Sequence, residues 1–73
     1  MKSRYNSSFL EGVHVEDKIQ GIQEWATEND NFDTTFVDDL ERKLEEYGSL
    51  SVGQEDALDS IIRQWKIPSK HFA

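Results

Sequence analysis

The stretch from Asp33 to Gln54 leaves this chain the least freedom in how it can fold. With each residue turned through about 100°, Phe36, Val37, Leu40, Leu44 and Tyr47 fall on one ~100° stripe, the mark of a helix with a single apolar face. Asp33, Thr34 or Thr35 can cap its N-terminus by accepting from amides that have no helical partner, and Gly48 suits a left-handed exit. Asp38 and Asp39 stand four residues before Arg42 and Lys43, the favourable order for helix ion pairs. Acids early in the helix also suit the positive end of its dipole. A second helix starts at Ser51-Val52-Gly53-Gln54, a capping-box pattern in which serine accepts from the third amide and glutamine reaches back. Ala57, Leu58, Ile61, Ile62 and Trp65 make its apolar face, and Pro68 prevents much continuation beyond Lys66 or Ile67. Only Gly48-Ser49-Leu50-Ser51 separates the two helices, which predicts adjacent neighbours in a hairpin-like pair.

A further helix is expected from Glu16 to Glu28. Val15, Ile19, Ile22, Trp25 and Ala26 share a ~120° sector, with Gln20, Gln23, Glu24 and Glu28 outside it. Gly21 weakens this helix, and Asn29-Asp30-Asn31-Phe32-Asp33 reads as a loop. Residues 1–15 have neither helical nor strict strand period, so they form an irregular arm. Tyr5, Phe9 and Leu10 either fold back to seal the core or order on a partner. Residues 68–73 pose the same choice as a short C-terminal tail. The fold expected is all-α: a small three-helix domain at residues 16–67, between that N-terminal arm and that tail.

A chain of 73 residues buries only about 60% of the surface its unfolded form exposes. Without a cysteine, neither a disulfide nor a thiolate zinc site can staple the fold, so nearly every large apolar residue is needed inside. Trp25 and Trp65 are expected as core anchors, and the margin of stability is expected to be thin.

Net charge is −7, and its distribution says more than its total. Residues 1–18 carry three acids and three bases, and so do residues 49–73. Residues 19–48 carry nine acids against Arg42 and Lys43, which is the whole of the −7. Direct nucleic-acid binding is disfavoured, because phosphates would meet repulsion over the middle of the chain. A partner with a basic surface would be attracted. No apolar run approaches the ~20 residues needed to span a bilayer, and Met1–Asn6 has no apolar stretch behind its positive charges as a signal peptide would. A soluble cytoplasmic protein is expected.

The residues give no support to catalysis or metal binding. Asp38/Asp39, Glu45/Glu46 and Glu55/Asp56 are neighbours that point in different directions on a helix, so they read as a solvated face. His14 and His71 stand far apart, with no second ligand at metal spacing near either. The acidic run Asp30–Asp33 lacks the glycine and the alternating ligands of a calcium loop. Isolated Gly21, Gly48 and Gly53 make no phosphate cradle, and no nucleophile-elbow pattern supports a hydrolase. No cofactor is expected.

From Phe32 to Ile62 the chain resembles a module common in small phage proteins, through Phe36, Leu40, Gly48-Ser49-Leu50-Ser51, Gln54, Leu58 and Ile61. Those marks are mostly those of any capped helical hairpin. In length, acidity and lack of cysteine the whole chain is similar to the small RNA-polymerase-binding transcription regulators of lytic Xanthomonas phage. That resemblance implies a monomeric viral protein in the host bacterial cytoplasm. It would bind the β and β′ subunits of host RNA polymerase, inhibit σ-dependent initiation and promote antitermination. No contact residues carry over with it, so candidate partner-binding residues come from the chain itself. Arg4, Tyr5, Phe9, Leu10 and Val13 in the arm could pack on a short polymerase segment, and Asp38, Asp39, Glu45 and Glu46 could face basic surface. One alternative is an acidic nucleic-acid mimic acting through Glu24, Glu28, Asp38, Asp39, Glu41, Glu45 and Glu46 against a host DNA-binding protein or nuclease. Another is a structural module that pairs through Trp25, Trp65 or the arm.

Overall fold

The computed structural model describes residues 8–72. They form three α-helices between two short 3-10 turns: an N-terminal turn at Ser8–Gly12, α1 at Val15–Ala26, α2 at Thr35–Tyr47, α3 at Val52–Trp65, and a C-terminal turn at Ser69–Phe72. The all-α expectation holds; α1 starts one residue before and ends two residues before the expected Glu16–Glu28.

The hub of the fold is α1. The closest backbone approaches between elements join α1 to the C-terminal turn, to α2 and to α3, whereas α2 and α3 approach one another less closely despite their short linker. The hairpin-like pairing of α2 with α3 is therefore secondary to what each makes with α1. A helix covered from three directions must be buried over a wide arc, and Lys18 and Gly21 are buried beside Ile19, Ile22 and Trp25. Lys18 tolerates this because its Nζ lies 2.8 Å from Oδ1 of Asp59 on α3, which offsets the cost of desolvating the ammonium.

Gly21 is buried for a different reason. A Cβ there would lie 2.3 Å from two carbons of the Phe72 ring and 2.8 Å from the His71 carbonyl oxygen. The residue that weakens α1 by propensity is thus what lets the tail dock on it. Phe72 is buried, its ring stacks on Phe9 at 5.6 Å between centroids, and His71 Nδ1 lies 2.8 Å from a Glu24 carboxylate oxygen. Arm and tail meet over α1, so Phe9, Leu10 and the tail fold back on the core, while Tyr5 lies outside the described residues.

Local signals account for the helix ends. Asp33 Oδ1 accepts from the Thr35 amide at 2.9 Å and the Thr35 hydroxyl at 2.6 Å, while Thr34, at the N-cap position, makes no side-chain cap of its own. Gly48 leaves α2 at φ 81°, its amide donating to Leu44. Ser51 and Gln54 form the full capping box, at 3.1 and 2.9 Å. The Thr27 hydroxyl and the Asn29 side-chain amide donate to the carbonyls of Glu24 and Trp25, satisfying the end of α1. The last turn of α3 closes with Ile67 donating to Ile62 and Lys66 to Arg63, with Lys66 left-handed at φ 53°. This is a Schellman closure, and the buried Ile67 supplies its usual apolar contact.

Two apolar faces are less buried than their stripes suggest. On α2, Val37 and Leu40 are buried and Leu44 is half-buried, but Phe36 and Tyr47 are 47% and 72% exposed. At 100° per residue Phe36 and Tyr47 lie about 20° apart on one edge of the stripe, opposite Val37, so docking α2 on α1 leaves that edge outside. Trp65 is 42% exposed, which corrects its expected role as a core anchor. It instead forms the outer member of a three-ring cluster, edge-on to Trp25 at 5.6 Å and to Phe32 at 5.2 Å.

Candidate docking surface

The candidate partner-binding residues do not share one surface recess. Arg4 and Tyr5 lie outside the described residues. Leu10 is only 5% exposed, and Phe9 and Val13 pack half-buried against the core, so the arm's apolar groups are engaged internally. Leu10 and Val13 line a recess with Glu11, Lys18, Glu55, Asp59 and Arg63. Reaching Leu10 from outside would require lifting the arm.

Four acids of α2, Asp38, Asp39, Glu41 and Glu45, lie in two other recesses. One lies between α1 and α2 and is lined by Glu16, Ile19, Gln20, Glu41, Leu44 and Glu45. Its floor is apolar and its rim carries three carboxylates from two helices. The second is at the start of α2, where Asp33, Thr35, Asp38, Asp39 and Arg42 surround Phe36. Glu46 is exposed and lines neither. Sequence reasoning missed Glu16 as a neighbour of Glu41 and Glu45, which stand one turn apart on α2, because which faces of α1 and α2 oppose each other depends on packing. The exposure of Phe36 was hinted at by its place on the edge of the stripe.

Hydrogen bonds fix several of these carboxylates. The Gln23 side-chain amide donates to Asp38 at 3.0 Å and to Glu41 at 3.1 Å, tying α1 to α2. The Thr34 hydroxyl donates to the other Asp38 oxygen at 3.1 Å. Asp39 pairs with Arg42 and, at 3.3 Å, with Lys43. The two donors from Thr35, hydroxyl first and amide second, hold the exposed Asp33 carboxyl below its ordinary pKa. It therefore stays ionised into mildly acid solution.

Among the described residues, no group of three His, Asp or Glu side chains is placed to hold a metal ion, and no helix is long and apolar enough to cross a membrane. Comparison with protein-family models, with curated proteins and with solved structures found no match.

Proposed function

We propose that this chain is a non-catalytic docking protein whose acidic α1–α2 surface engages a basic surface on a larger protein assembly. The observation that carries the reading is where the charge lies. All of the −7 belongs to residues 19–48, and the structure leaves Glu24, Glu28, Asp30, Asp33, Asp38, Glu45 and Glu46 exposed there. Exposed like charges repel one another unless something outside the chain offsets them, so a cationic partner gains where a neutral one does not.

The particular assembly we propose is host bacterial RNA polymerase, bound through β and β′ as a monomer in the host cytoplasm. That step rests on the resemblance to phage regulators, as do inhibited σ-dependent initiation and antitermination. Because Leu10 is inside the core, the acidic surface rather than the arm makes the first contact. The test is capture of purified polymerase by the tagged chain, followed by run-off and terminator read-through transcription. Capture with reduced run-off supports the reading, and absence of capture at low salt ends it.

The same exposed carboxylates favour a second reading, an acidic mimic of nucleic acid. Salt separates the two. Contacts between exposed charges fade once ions screen beyond ~8–10 Å, so a pure mimic releases its partner by a few hundred millimolar salt. A complex with apolar anchoring persists.

A further inference from the structure

Four large apolar side chains stand out in solvent: Phe36, Tyr47, Val52 and Trp65. Lone exposed apolar groups are ordinary, so position has to distinguish them. Only Phe36 of the four lines one of the recesses described above, and that recess carries Asp33, Asp38 and Asp39 together with Arg42, which is ion-paired to Asp39. Trp65 lines none of them and packs edge-on to Trp25 and Phe32.

Capping explains the carboxylates around Phe36. Asp33 holds the start of α2, and Asp38 sits in its first turn, where a negative charge suits the dipole. Capping does not explain a half-exposed aromatic ring in their midst. From Glu28 to Asp39 the chain carries Glu28, Asp30, Asp33, Asp38 and Asp39, and no lysine or arginine. Of these five, among the described residues, only Asp39 is met by a cation.

We infer that the Phe36 recess is a docking site for an arginine side chain presented by a protein partner, its guanidinium over the ring and between Asp33 and Asp38. Charge complementarity selects this occupant. A second copy of the chain would bring the same carboxylates against each other, and nucleic acid would bring phosphates, and both repel. Arginine is preferred to lysine because its planar, weakly hydrated cation stacks on an aromatic face while its fork of donors reaches carboxylates. The inference rests on the docking reading above and deepens it by naming the side chain recognised and the residues that recognise it.

The experiment titrates the full chain with two short peptides alike except for alternating arginine or lysine between glycines, and follows backbone amide shifts. Arginine peptide is expected to shift the amides of Thr35–Asp39 and to bind about threefold or more tighter than lysine peptide, as cation–π contact at an exposed ring would give. Phe36→Ala and Phe36→Leu should both remove that preference, the second showing that the ring rather than apolar bulk is needed. Thermal melts of both variants confirm that they stay folded. Equal affinity for the two peptides, or a preference that survives Phe36→Ala, overturns the site. Self-association through Phe36, seen as concentration-dependent shifts without peptide, overturns it too. The two proposals fail separately: polymerase capture unaffected by Phe36→Ala strikes only this site, whereas no capture by the unaltered chain strikes the docking reading.

Discussion

The Phe72 ring occupies the space that a side chain at Gly21 would need. Fifty-one positions separate the two residues, yet the fit between them is what closes the C-terminal tail onto α1. The contact also gathers the N-terminal arm, because Phe9 stacks on the outer side of the same ring. A glycine in mid-helix costs about 1 kcal/mol relative to alanine, and here the burial of a phenylalanine offsets it.

Gly21→Ala should therefore lower stability despite its better helix propensity, by about 1–3 kcal/mol, the usual cost of overpacking a tight contact. In a Phe72→Ala background the ring clash is gone, and only the His71 carbonyl, 2.8 Å from the added Cβ, still has to give way. The same substitution should then cost clearly less than in the parent, because better helix propensity works against the one contact that is left. Urea denaturation of the four proteins reads the difference, and a Gly21→Ala cost that is equal in both backgrounds would remove Phe72 as the cause.

The Lys18–Asp59 pair makes a second testable link, between α1 and α3. Lys18→Met leaves a largely buried carboxylate without its cation and should cost about 2–3 kcal/mol, somewhat below the cost of breaking a fully buried pair. Replacing both groups, as Lys18→Met with Asp59→Leu, should recover most of that loss, because the desolvation cost of both charges disappears together. Denaturant midpoints compare them, and a single mutant as stable as the parent would show that the pair contributes nothing.

Lys66 adopts a left-handed backbone that glycine reaches without steric cost. Lys66→Gly should raise stability by about 0.5–1 kcal/mol once the greater freedom of glycine in the unfolded chain is set against the relief of strain. For a domain of this size that is roughly 3–6 °C in melting temperature. A fall in melting temperature would mean that the lysine side chain contributes more than its backbone costs.

What could be read in advance divides by range. Gly48, the Ser51–Gln54 box and the stripes of Val37–Leu40 and Leu58–Ile62 act within a few residues, and each appears where local chemistry puts it. The Gly21 notch was not legible, because nothing near Gly21 announces that a phenylalanine will arrive from the tail. Lys18 was not legible either, since a charged residue is assigned to solvent until the element bearing its partner is in place. Of the candidate site, the charge was plain from composition along the chain. The recess around Phe36 needed the docking of α2, which decides which edge of its stripe is left outside.

The cap at Asp33 gives a pH dependence with a definite sign. Hydrogen bonds from the Thr35 hydroxyl and amide depress its folded-state pKa below the ordinary 3.8, so its contribution is full above that value. It is lost as pH falls through the depressed folded-state pKa, when the carboxylate takes up a proton in the folded chain as well. Asp33→Ala should thus melt below the parent at neutral pH, with the gap closing as acid protonates the parent's carboxyl. Asp33→Asn keeps an uncharged acceptor, so it should fall between the two at neutral pH and change little relative to Asp33→Ala across the range. Melting temperatures of the three proteins between about pH 2 and pH 7 make the comparison, which also cancels the acid response of every other carboxylate they share. A parent-to-alanine gap that stays constant down to the lowest pH would mean that the cap works through geometry and not through charge.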